Sequence, residues 1–159
     1  MTLPITLYID RIPDLQFDML LLRKEYQLIQ DKLEDVDDHG NATLVQKKFH
    51  LISNDVASHE LSLLPYTTQV IESVFKLQKF NSVVYRLVLP NRCYNWHTDP
   101  GRFCAHIPIM SNTGCRFIYD TRAFFMPANG SAYVVNQAIP HTFANAGKED
   151  RLHLTFENL

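Results

Sequence analysis

Two hydrophobic rhythms divide the chain. In the first half, apolar residues recur at alternating steps of four and three through Leu15, Met19, Leu22, Tyr26, Ile29 and Leu33, which puts them on one stripe of an amphipathic helix. Asp14 precedes the stripe and is its expected N-cap, because a carboxylate there accepts from amides that the first turn leaves unpaired. The polar run EDVDDHGNA, residues 34–42, reads as a turn, and 43–52 as a strand. Pro65 opens a second expected helix, since its fixed φ suits a first turn. Val70, Ile71, Val74 and Phe75 form the apolar face of that helix, and its end falls near Phe80.

From Ser82 onward the period changes. Short β-like runs over 82–89, 93–98, 103–110, 115–120, 131–136, 141–145 and 151–157 are separated by PNR, DPG, SNTG, PANG and NAGKED, whose Pro, Gly, Asn and Asp suit turns. That many short strands imply a mostly β (α+β) fold, a sandwich or jelly roll, with the N-terminal helices packed on one sheet. The last run alternates Arg151, His153 and Thr155 against Leu152, Leu154 and Phe156. Its apolar face is expected to meet the helices and its polar face to line a cavity. One domain over 1–159 follows, with 1–81 as helical support and 82–159 as the jelly-roll core.

Composition narrows the function. A chain of 159 residues, 46% hydrophobic and 20% charged, has material for one real core. Its net charge of −2 offers no basic footprint, so no nucleic-acid partner is expected. The start, MTLPITLYIDRIPD, lacks a charged and continuously apolar leader, and no run is long enough to cross a bilayer. The expectation is a cytoplasmic protein without a membrane partner, in which Cys93, Cys104 and Cys115 stay reduced.

The candidate chemistry sits in the strand-rich half. His97 and Asp99 form a His-x-Asp pair, and on an extended strand alternate side chains share a face, so both can reach one ion. His141, after a proline, follows 44 positions later, far enough for intervening strands to bring it back. Two imidazoles and one carboxylate are the ligand set of a mononuclear non-haem Fe(II) centre that keeps positions open for a cosubstrate and O2. His-x-Asp alone arises often by chance; the distal histidine and Arg151 give it weight. A guanidinium holds a carboxylate through two parallel charge-assisted bonds that an ammonium cannot copy, so Arg151 is a candidate anchor for an acidic cosubstrate. His39, His50 and His59 fall outside the set, and His153 reads as a packing or supporting residue. Tyr94 and Trp96 alternate away from His97 and are expected to pack outside the barrel. On the preceding strand, Tyr85 or Arg86 is left as a possible contact to cosubstrate or substrate.

The stretches HTDPGRFCAHIPIMSNTGCRF and SAYVVNQAIPHTFANAGKEDRLHLTFEN resemble the aspartyl/asparaginyl β-hydroxylase branch of the Fe(II)- and 2-oxoglutarate-dependent oxygenases over roughly 82–159. The resemblance implies that the jelly roll is a double-stranded β-helix of cupin-like type, that His97, Asp99 and His141 are the iron ligands, that Arg151 pairs with the distal carboxylate of 2-oxoglutarate, and that His106 contacts the cosubstrate near the metal. Many relatives carry an arginine two positions before that histidine. This chain has Cys104 there, and Arg102, two residues further upstream, is the candidate substitute. Asp99 points to hydroxylation, because halogenating relatives lack the carboxylate. The implied activity is hydroxylation of an unactivated C–H bond of an amino-acid-like substrate, with succinate and CO2 as coproducts. Peptidyl aspartyl, asparaginyl or prolyl hydroxylation is the alternative. A cupin-like metal- or ligand-binding jelly roll without this activity would share the strands and histidines but would not need Arg151.

Overall fold

The computed structural model describes residues 6–36, 46–99 and 103–158. The strands are β1 (Ile9–Gln16), β2 (Glu34–Val36), β3 (Gln46–Ser53), β4 (Val56–Ala57), β5 (Ser82–Val88), β6 (Arg92–Cys93), β7 (Phe103–Met110), β8 (Cys115–Tyr119), β9 (Arg122–Phe124), β10 (Ser131–Asn136), β11 (His141–Asn145) and β12 (Arg151–Glu157). Two α-helices, α1 (Met19–Tyr26) and α2 (Pro65–Phe75), lie in the first half. The large sheet runs β1-β10-β7-β12-β5-β3-β2, with β4 beside β3, and the small sheet runs β6-β11-β8-β9. Every strand pair is antiparallel. This is the expected jelly roll.

Alternation along the strands separates two cores. Val83, Tyr85 and Leu87 of β5, Ala105, Ile107 and Ile109 of β7, and Leu152, Leu154 and Phe156 of β12 join Leu22, Tyr26, Val70 and Val74 from the helices. Burying an apolar side chain of this size stabilises by about 1.5–3 kcal/mol, so this layer holds the helices to the sheet. Between the sheets a smaller cluster contains Val88, Cys115, Phe117, Tyr119, Val135 and Phe143. Pro108 sits within the central strand β7, where it has no amide to donate. The β7–β12 register steps between Leu152 and His153 at that point, which accommodates the missing bond.

Several boundaries differ from the sequence expectation, each for a local reason. The first helix starts at Met19, capped by Asp18, whose Oδ1 accepts from Leu20 N and Leu21 N at 2.8 and 3.2 Å. Residues 9–16 are instead drawn into β1 by pairing with β10, and Asp14 turns the chain at φ 61°. The apolar stripe is still spent as expected: Leu22, Tyr26, Ile29 and Leu33 are buried, the last two flanking a 3₁₀ turn over Gln30–Lys32. Glu34–Val36, expected in a turn, pairs with β3, while 37–45 lies outside the described residues. Pro65 begins α2 as expected. The carboxylate of Glu25 on α1 accepts from Tyr66 N and Thr67 N at 2.7 Å each, satisfying the orphan amides of α2. The expected strand over 93–98 shrinks to β6, because Thr142 Oγ1 takes the Tyr94 carbonyl at 2.7 Å in place of a backbone amide. No helix among the described residues is long and apolar enough to cross a membrane.

Candidate metal centre

His141 opens β11, and the chain after β6 returns to it through one isolated antiparallel bridge at His97. His97 N donates to His141 O at 3.0 Å and His141 N to His97 O at 2.9 Å, so the two residues are locked side by side. Their rings are 4.4 Å apart between centroids. Asp99 N donates to Gln137 O at 2.8 Å, which holds the carboxylate on the same side, with Oδ2 4.0 Å from His97 Nε2. The three ligand atoms lie within 4.8 Å of one another. The sequence expected His97 and Asp99 on a regular strand; the structure brings them together instead by a single bridge and a loop.

Backbone carbonyls select the tautomer that metal binding needs. His97 Nδ1 lies 2.8 Å from Asn95 O and His141 Nδ1 2.8 Å from Ile139 O. A carbonyl can only accept, so each Nδ1 carries the proton and each Nε2 presents its lone pair to the shared space. Phe117 stacks on His141 with centroids 5.0 Å apart, fixing the ring.

The centre opens into a cavity of about 380 Å³ between the sheets. Arg151, at the start of β12, lines it and is 3% exposed. Its Nη2 donates to His153 Nδ1 at 2.6 Å, its guanidinium lies 4.1 Å over the Phe143 ring, and its Nε has no hydrogen-bond partner among the described residues. Burial pushes this group down to about 9, with Tyr94 and Cys115 opposing the shift and Arg86 adding to it. A buried cation of this kind fits an acidic ligand. His106, on β7, lines the same cavity and is 4% exposed, with Nε2 lacking a hydrogen-bond partner among the described residues and Nδ1 3.3 Å from His153 Nδ1. Burial and then Arg151 hold both His106 and His153 well below the ordinary histidine range, so both are neutral at pH 7. Because a guanidinium only donates, His153 must keep its proton on Nε2; it supports Arg151 rather than joining the metal set.

Other expectations divide. Arg86 lines the cavity, whereas Tyr85 faces the helices, its hydroxyl 3.1 Å from Thr67 Oγ1. Tyr94, expected outside the barrel, lines the cavity and bonds Gln46, because the chain leaves strand geometry after Cys93. Trp96, expected to pack outside the barrel, is exposed instead. His50, set aside in the sequence, is on the cavity rim, a placement visible only once β3 pairs with β5. Glu157 was missed although it continues the polar alternation of Arg151, His153 and Thr155. Arg102 and His39 lie outside the described residues.

The aspartyl/asparaginyl β-hydroxylase family profile matches residues 16–158. No curated protein matches the sequence. A 2-oxoglutarate/Fe(II) oxygenase-family oxidoreductase from Burkholderia pseudomallei is similar in structure, with TM-score 0.62, 16% identity, and 94% of this chain and 85% of that one covered. A prolyl hydroxylase from Trichoplax adhaerens, solved with a hypoxia inducible factor peptide fragment, gives 0.66 at 11% identity, covering 96% and 83%. A predicted oxalate decarboxylase from Thermotoga maritima gives 0.53 at 14% identity, covering 80% and 91%. The likenesses share a fold across different chemistries, so residues must decide the reaction.

Proposed function

The chain is a hydroxylase of the aspartyl/asparaginyl β-hydroxylase family, and from that premise we propose that a single domain holds Fe(II) through His97, Asp99 and His141 and 2-oxoglutarate through Arg151. The observation that carries this reading is the pairing of a two-histidine, one-carboxylate cluster with a buried arginine that has no ion pair among the described residues, in one cavity. When bound, Fe(II) with 2-oxoglutarate and O2 supplies the oxidising power to place oxygen on an unactivated C–H bond, yielding succinate and CO2 as coproducts.

The chain's own residues orient and exclude. Asn95 and Ile139 carbonyls keep both Nε2 lone pairs turned to the metal position. Asp99 supplies the carboxylate whose presence supports hydroxylation over halogenation. His153 and Phe143 hold the Arg151 guanidinium in place from its edge and its face. His106 brings a neutral nitrogen into the cavity beside it, where it can contact the cosubstrate. Phe117 and Phe143 keep water from the ground between metal and arginine. A cytoplasmic location is part of the proposal, supported by the free thiols Cys93, Cys104 and Cys115.

A cavity of this size suits a small amino-acid-like substrate. Peptidyl hydroxylation is the second reading, favoured by the peptide held by the Trichoplax enzyme of the same fold. The test is 2-oxoglutarate-dependent succinate release with free Asp, Asn, Pro and Arg and short peptides containing them, under oxygen-18. One labelled oxygen in the product is expected. Succinate release from none of them, or a chlorinated product, would contradict the proposal.

A further inference from the structure

The alternation of β10 continues past the end of the strand. Val135 packs in the small core between the sheets, and Gln137, two positions on, keeps to that face and lines the cavity. The backbone around it is held on both sides: Tyr119 Oη donates to Asn136 O at 2.8 Å, Ala138 N to Asn136 Oδ1 at 3.0 Å, and Asp99 N to Gln137 O at 2.8 Å. Gln137 thus holds the metal-bearing loop by its carbonyl and shows its side chain to the ligand space.

The carboxamide of that side chain has a set orientation. Cys104, the register partner of Val135 on β7, is fully buried, and its Sγ donates to Gln137 Oε1 at 2.9 Å. A thiol that donates to the oxygen leaves Nε2, with two N–H groups, as the end turned from β7 toward the cavity. Arg151 presents donors to the same cavity, but from its other end. Thr155 pairs with His106 and Phe156 with Ala105, so Cys104 lies level with Glu157, at the opposite end of a 7-residue strand from Arg151. At the usual rise per residue the two ends are roughly 20 Å apart along β12.

We infer that Gln137 is a substrate-binding residue that donates to a carbonyl oxygen of the substrate, and that Cys104 is the positioning residue that keeps its amide turned for this. The inference rests on the function proposed above and deepens it. With the cosubstrate anchored at Arg151, the end of the cavity beside Asp99 and Gln137 is the one left to the substrate. A carboxamide carries no charge, so it complements a carbonyl through a neutral hydrogen bond, where a guanidinium holds an ion. The substrate that fits is an amino-acid derivative with an amide carbonyl near the C–H bond that is oxidised.

The test uses the full chain as its anaerobic Fe(II)–2-oxoglutarate complex at pH 7, titrated calorimetrically with the N-acetyl, C-amide derivatives of L-Asp, L-Asn, L-Pro and L-Arg. At least one derivative should bind. Gln137→Met and Gln137→Glu should each weaken it about three- to tenfold, the range of one neutral hydrogen bond, and leave 2-oxoglutarate affinity unchanged. Cys104→Ala should weaken it too, and Cys104→Ser, whose hydroxyl can donate to Oε1, should restore it. The visible charge-transfer band of the Fe(II)–2-oxoglutarate complex should form in the wild type and all four variants. With the band present, binding of no derivative, undiminished binding in either Gln137 variant, or an equal loss of 2-oxoglutarate affinity overturns the Gln137 assignment alone. Cys104→Ala binding like the wild type, or Cys104→Ser binding like Cys104→Ala, overturns the positioning role. No band in the wild type overturns the inference and the proposed function together.

Discussion

The two faces of β12 are one residue apart and obey different rules. Leu152, Leu154 and Phe156 pack under the helices and are fully buried. Arg151, His153, Thr155 and Glu157 are buried almost as completely on the other face, yet all are polar and two carry charge. Burying apolar groups stabilises the fold; burying ionisable ones costs free energy unless each finds a partner. Glu157 finds Arg86, whereas among the described residues Arg151 finds a neutral imidazole and a ring. One face holds the molecule together, and in the proposed function the other keeps a charge for a ligand.

Substitutions on the two faces should therefore separate stability from ligand binding. On the helix-facing side, Phe156→Ala should lower unfolding free energy by about 3–5 kcal/mol, read from urea titrations, while the folded fraction keeps its Fe(II) affinity. On the cavity side, Glu157→Gln takes a buried carboxylate away from the part-buried Arg86 and should cost roughly 3 kcal/mol at pH 7. The pH dependence fixes the cause. Glu157 is held below its ordinary value of 4.5 in the folded chain, so its contribution is complete above that pH and lost as pH falls through the lowered native value. The gap between wild type and Glu157→Gln should narrow in that direction. His106 and His153, held below 6.5, refuse protons that the unfolded chain accepts, so stability should already decline as pH drops below that value. A gap independent of pH would show that Glu157 acts by shape alone.

Arg151→Met gives the smallest energetic change and the sharpest contrast. It should weaken 2-oxoglutarate binding at least about tenfold, since charge-assisted bonds contribute roughly 1.5–3 kcal/mol each. The ligand-free protein should lose no stability, because a poorly compensated buried cation is removed. Calorimetry and urea unfolding on the same preparation check both halves. Unchanged cosubstrate affinity would pass the role to another cation.

The face that stabilises was the easier one to read from sequence. Strands β10, β11 and β12 match their expected bounds, because alternation and Gly- or Pro-bearing turns, including Gly130 at φ 92°, are local signals. The start of the first helix was misplaced because β1 exists only through pairing with β10, more than 100 residues away. β9, three residues long, is too short to carry a period. In the site, His97, Asp99, His141 and Arg151 were legible because residue type and order suffice to nominate them. Tyr94 and His50 were not, since what places them at the cavity is an interrupted strand and a cross-strand register, whereas Glu157 was there to be read in the alternation through Arg151, His153 and Thr155.

The account stands on one centre that takes Fe(II) and 2-oxoglutarate together. Anaerobic addition of Fe(II) to the metal-free protein, followed by 2-oxoglutarate, should give one bound iron per chain and a visible charge-transfer band, and His141→Ala should abolish the band while the chain stays folded by circular dichroism. Absence of the band in the wild type, or a band undiminished in His141→Ala, would contradict it.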